Sequence, residues 1–186
     1  MLYPLLVLLN LLLLGPINFV DCGITEVHLD RFEQLNGFHI ANFSAVRVRK
    51  FNRTTAIMDG EGELFIDLNE RYQFSLTVSY STLGNNQWNE YPMKVSKDNV
   101  CKIMNGIYKD YQSYFVESTN MPRVGDEWFC PYPKGRYWIR NFVPRADWVP
   151  DVIPAGYWRF TTMLFDPSDD VLIKCLIFMK IKKGYF

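Results

Sequence analysis

The sequence has only two histidines, His28 and His39, and four cysteines with no Cys-x-x-Cys pair among them, so no zinc-site spacing is present. It has no excess of either charge: 20 basic side chains cancel 20 acidic ones, and no long block of one sign occurs. Nucleic acid and anionic membrane surfaces therefore get no electrostatic support as partners. It lacks a nucleophile elbow, a zinc-binding helix pair, a phosphate-cradling loop and a dinucleotide fingerprint. Asp166, Asp169 and Asp170 lie close together but without the glycine and terminal glutamate of a calcium loop, and read as a turn. Nothing argues for an enzyme, and no cofactor or metal is expected. Beyond the first 20 residues no apolar run reaches membrane length, since Val171 to Ile181 is short and carries Lys174 and Lys180. No internal repeat, low-complexity tract or linker is visible.

What is present is apolar and aromatic. Of 186 residues 48% are hydrophobic, enough for one domain with a sizeable core, and 16% are aromatic, more than a core needs. Met1 to Val20 holds no Lys, Arg, Asp or Glu, and its run Leu5 to Leu14 ends at Gly15-Pro16. This matches a signal peptide over residues 1–20 (the end could be 22), although the basic leading segment is missing. Secretion makes Cys22, Cys101, Cys130 and Cys175 disulfide candidates with three possible connectivities. Cys101 with Cys130 is the expected pair, because it would tie a helix to the start of a proline-rich element. Asn42-Phe43-Ser44 and Asn52-Arg53-Thr54 are glycosylation sequons.

Periodicity sets the expected architecture. Tyr72, Phe74, Leu76, Val78 and Tyr80 alternate with Gln73, Ser75, Thr77 and Ser79, a strand with one wholly apolar face. Weaker alternation marks strands over Thr25 to Leu29, Ser44 to Lys50, Thr55 to Leu68 with a glycine interruption, and from Trp88. The period then changes. Val100, Ile103, Met104, Ile107, Tyr108, Tyr111 and Phe115 fall at helical spacing, which predicts one helix near residues 99–116. Tyr157 to Phe165 and Val171 to Ile181 form a hairpin across Asp166-Pro167. The expected fold is mainly β: a single domain over residues 21–186, a two-sheet antiparallel immunoglobulin-like sandwich (cup) with that one helix.

Cys130 to Arg159 concentrates five of ten prolines and three of five tryptophans. Two aromatic strands, Arg136 to Phe142 and Tyr157 to Phe165, bracket a crossing stiffened by Pro144, Pro150 and Pro154. Trp148, Val149, Val152 and Ile153 in that crossing must either fold onto the core or face a ligand.

Cys130-Pro-Tyr-Pro-Lys-Gly-Arg-Tyr137, the spacing of Pro150 and Pro154, and Pro154-Ala-Gly-Tyr-Trp-Arg159 resemble the insect CheB-type contact-chemosensory family and its wider secreted relatives. Those proteins are similar to ganglioside-activator-like lipid-recognition domains. The resemblance runs from about residue 25 to the end, with Asp98 to Lys102 looking like the family's cysteine-bearing helix start. It implies a cup-like sandwich whose sheets part around a lipid or long-chain hydrocarbon, with a role in detecting contact pheromones. The expected function is thus a secreted, extracellular binder of an apolar ligand, with a hydrophobic small molecule or lipid as partner and a chemosensory receptor or channel as a further one. The expected ligand-binding residues are Trp148 and Ile153 at the mouth, with Phe74, Leu76, Trp158 and Phe160 behind them. The competing expectation is an extracellular interaction module that touches a receptor or channel through the same loop and holds no ligand.

Overall fold

The computed structural model describes residues 24–184. The signal-peptide reading and Cys22 lie outside these residues. Among the described residues nine strands build two antiparallel sheets. The larger comprises, in spatial order, β1 (Ile24–Asn36), β9 (Val171–Gly184), β8 (Gly156–Phe165), β5 (Gln73–Ser81) and β6 (Asn89–Asn99). In the smaller, β4 (Ala56–Leu64) is central. β7 (Gly135–Phe142) pairs along one of its edges, and β2 (Ala41–Asn42) and β3 (Arg47–Lys50) follow each other along the opposite edge.

The alternation of β5 decides how the large sheet faces. Register places Phe74 opposite Leu164, Leu76 opposite Thr162, Val78 opposite Phe160 and Tyr80 opposite Trp158. On β9, Ile173, Cys175 and Ile177 continue the same rows. Because side chains alternate across a strand, all of these point toward the small sheet and the helix, while Ser75, Ser79 and Thr161 take the other face. That face is not bare: Phe178 is buried beneath the Arg31 guanidinium, 3.6 Å from its ring centroid, and against the edge of Trp88. Both faces of β9 are therefore covered, as its nearly continuous apolar sequence requires.

The glycine interruption after Met58 does not end the strand. Register slips between Met58 and Gly60, and Gly60 sits at φ 146° with the Ala45 carbonyl 2.3 Å from where a Cβ would stand. A side chain there would collide with the turn joining β2 to β3, so the bulge both bends β4 and lets that turn lie on it.

The predicted helix forms as a broken one. Here called α1, it runs as α Val100–Ile103, π Met104–Tyr108, α Lys109–Tyr111 and 3-10 Gln112–Tyr114. Asn99 caps it, its side chain accepting the Lys102 N–H at 2.7 Å. Gly106, at φ −108° and ψ −108°, leaves the helical region in mid-course and widens the turn.

Candidate ligand-binding site

The face of α1 that carries the apolar repeat turns toward the large sheet but does not close on it. Between them lies a cavity of about 500 Å³. Its floor is Phe74, Leu76 and Leu164; its roof is Val100, Ile103, Met104, Ile107, Tyr108 and Tyr111; Tyr114, Phe115, Met121, Leu68 and Tyr132 close the sides. No lining residue is charged. Leu76 stands in mid-strand yet is only half-buried, whereas Val78, two residues on, is wholly buried. The difference is the hollow in front of Leu76. At the outer rim Ile107, Tyr111 and Tyr114 are exposed, so the cavity opens to solvent along the second half of α1.

The position of α1 is held along one flank. Cys101 and Cys130 are joined by a disulfide, the pair expected from the sequence. Asn105 clasps Phe129: its Nδ2 donates to the Phe129 carbonyl at 2.8 Å and its Oδ1 accepts the Phe129 N–H at 2.8 Å. Gln112 repeats the arrangement one strap residue set earlier, donating to the Val124 carbonyl and accepting the Val124 N–H, each at 2.9 Å. Tyr108 Oη donates to the Pro122 carbonyl at 3.0 Å. Residues 121–130 are thus a strap along one flank of α1, with Val124 buried in the core beside it. Two-point amide pairs satisfy otherwise lone backbone groups and fix the strap in register with the helix.

Tyr108 and Tyr132 stay neutral at physiological pH. Burial pushes the Tyr108 and Tyr132 hydroxyls above the ordinary phenol value, Tyr132 far above it, with the neighbouring Tyr137 adding in the same direction.

The six expected binding residues divide into three groups. Phe74 and Leu76 line the cavity. Trp148, in the short 3-10 turn Ala146–Trp148, is stacked on Tyr114 with ring centroids 4.6 Å apart and leans on Phe142 at 6.0 Å. It braces the far end of α1 against β7 from outside the cavity. Ile153, Trp158 and Phe160 pack with Val78, Ile181, Tyr80 and Tyr91 at the other end of the large sheet, away from the cavity lining. Trp158 is 1% exposed, lies 4.9 Å from Tyr80 and 4.8 Å from Tyr91, and donates from Nε1 to the Pro154 carbonyl. The proline-rich crossing is folded down by Ile153, which is buried, while Val152 points out to solvent.

The cavity roof was readable as an apolar helix face but not as a wall of a hollow. Tyr108 and Tyr111 were legible as members of the helical repeat and Tyr132 as part of the Cys130–Tyr137 motif, but none of them, nor Met121, was legible as a cavity wall. Asn42 and Asn52 are both exposed. Among the described residues no cluster of three His, Cys, Asp or Glu is placed to hold a metal ion, and no helix is long and apolar enough to cross a membrane. His28 bonds Glu26 at 3.0 Å on the surface.

No curated protein matches the chain. Residues 73–160, which supply every wall of the cavity except Leu68 and Leu164, match the sequence profile of a family described as Protein of unknown function (DUF1091).

Proposed function

We propose that the protein is a secreted binder of an apolar ligand, a lipid, long-chain hydrocarbon or pheromone, and that it serves contact chemosensation by carrying this ligand to a receptor or channel. The observation that carries the reading is the open cavity of about 500 Å³ lined by apolar and aromatic side chains under α1. Its volume lies within the range of small-molecule sites, about 300–1,000 Å³. Such a site binds by removing hydrocarbon from water. Burying about ten methylenes contributes roughly 8 kcal/mol before the cost of association.

The lining also restricts what enters. An ionised carboxylate or ammonium buried there would find no opposite charge, so a charged head must remain at the rim beside Tyr111 and Tyr114. The sensory role rests on the similarity of Cys130 to Tyr137 and Pro154 to Arg159 to the contact-chemosensory proteins. Titration of purified protein with a fluorescent long-chain probe, followed by displacement with alkanes, alcohols and fatty acids, tests the reading. Saturable one-site binding, displaced by uncharged chains at least as well as by carboxylates, is expected. Absence of saturable binding by any of these, with no lipid seen by native mass spectrometry of protein secreted from insect cells, would end it.

A further inference from the structure

A second concave site lies on the opposite sheet, and its geometry assigns it a different occupant. Asn42 is paired across β2 and β4 with Glu63. Ala41, its neighbour, is wholly buried, so alternation directs Asn42 outward. Asn42 and Ser44 border a groove of about 210 Å³ whose other wall is Glu61, Glu63, Phe65 and Arg136. At its base is Gly62, whose inward side is taken by the Phe43 ring, 2.2 Å from where a Cβ would stand, so Phe43 packs directly against the backbone beneath the groove. Phe65 is a large apolar residue 43% exposed at this rim. Arg136 and Glu63 face each other at 3.6 Å beside it.

We infer that Asn42 carries an N-linked glycan whose first sugar is seated in this groove against Phe65. The Asn42 Oδ1 accepts the Ser44 N–H at 3.0 Å, which holds the carboxamide in an Asx turn, and among the described residues Nδ2 donates to nothing. In the modification Nδ2 attacks the anomeric carbon of a lipid-linked oligosaccharide diphosphate. The C–N bond forms, the bond from that carbon to the diphosphate oxygen breaks, the diphosphate leaves as an anion and the amide proton passes to a base of the transferase. The linked sugar then has an aromatic face for its C–H groups, whose partial positive charge suits the negative face of the ring. Glu61, Glu63 and Arg136 supply acceptors and donors for its hydroxyl and acetamido groups. The sugar would cover an aromatic side chain that is otherwise in water.

The inference is independent of the lipid cavity but needs passage through the secretory route, so the full chain is secreted from insect cells behind a supplied leader. Peptide mapping reads occupancy at Asn42. Ser44→Ala removes the sequon while keeping the Asn42 side chain and its bond to the Ser44 backbone. Occupancy of Asn42 is expected, with Tm lower by about 2–4 °C in Ser44→Ala. Trimming the glycan to its first sugar should leave Tm unchanged. Phe65→Ala should keep occupancy but abolish the Tm difference between glycosylated and Ser44→Ala protein. An unmodified Asn42 in the secreted chain, or a Ser44→Ala shift that is the same with and without Phe65, overturns the inference. Probe binding in the cavity should be unaltered by Ser44→Ala, so the two readings fail separately.

Discussion

Filling the hollow from its floor separates a binding cavity from a packing defect. Leu76 faces the space from mid-β5, two residues on from Phe74, whose cross-strand partner Leu164 also lines it. Leu76→Trp adds about six heavy atoms on the inner face of the sheet, directed into the space that a ligand would use. If these displace about three methylenes of the ligand, roughly 2.4 kcal/mol of binding is lost. Kd should then rise on the order of 50-fold. The effect on folding has the opposite sign, because apolar atoms that fill a void contribute about 0.5–2 kcal/mol. Fluorescent-probe titration and differential scanning calorimetry of the same preparation read both quantities. Weaker binding with an unchanged or raised Tm is expected. Unchanged affinity would refute occupation of this cavity, and a fall in Tm of more than a few degrees would show that no usable space lies in front of Leu76.

Three other measurements bear on the frame around the site. Replacing Cys101 and Cys130 together by serine opens a loop set by their 29-residue separation. The chain-entropy model then puts the loss at about 3–4 kcal/mol, a fall in Tm on the order of 10 °C, and a change under about 2 °C would contradict it. Trp158→Ala removes a side chain that is 1% exposed and should cost about 3–5 kcal/mol, with probe affinity little changed well below Tm because the cavity is elsewhere; a large loss of affinity with small loss of stability would mean that Trp158 meets the ligand. Cys175 is buried and its thiol is pushed up to about 11, mainly by desolvation. The fold holds that proton more tightly than the unfolded chain, so this contribution is complete below the ordinary thiol value near 9 and is lost as pH rises toward 11. Native protein at pH 8 should resist alkylation at Cys175 and denatured protein should react at once; rapid native labelling would show the strand to be open.

The chain's alternation carried most of the sheet arrangement. Tyr72 to Tyr80 identified the inner face of β5, the Asp166-Pro167 turn identified the β8–β9 hairpin, and the Cys101–Cys130 pair, expected as a tie between the helix and the start of the proline-rich element, is the disulfide that forms. Periodicity states which side of an element turns inward. It is silent on how far that side stands from what it faces. For this reason Phe74 and Phe160, two members of inward-facing rows on adjacent strands, look alike in the sequence, yet one lines the hollow and the other packs against the Val78–Trp158 cluster. The length of β1 was under-read for a related reason: Arg31 and Glu33 look like a break in alternation until Arg31 is seen lying over Phe178, with a bulge after Leu29 restoring Phe32 to the inner face.

Trp148 and Trp158 show the same limit at a single residue type. Both belong to the proline-rich segment, and either could serve as roof or core. Partner geometry divides them: Trp158 is enclosed by Tyr80 and Tyr91 of the sheet, whereas Trp148 stacks flat on Tyr114 at the end of the distorted helix. Beside the hollow, α1 is tied along one flank. A helix with this apolar stripe would gain by sinking onto Phe74 and Leu76. The strap opposes that collapse, since moving the helix inward would break the Asn105 and Gln112 amide pairs and pull against a disulfide at its first turn. Polar bonds along one flank of α1 thus hold it beside an apolar space, and Gly106 lies between the Asn105 and Gln112 ties, where the helix reaches the open rim.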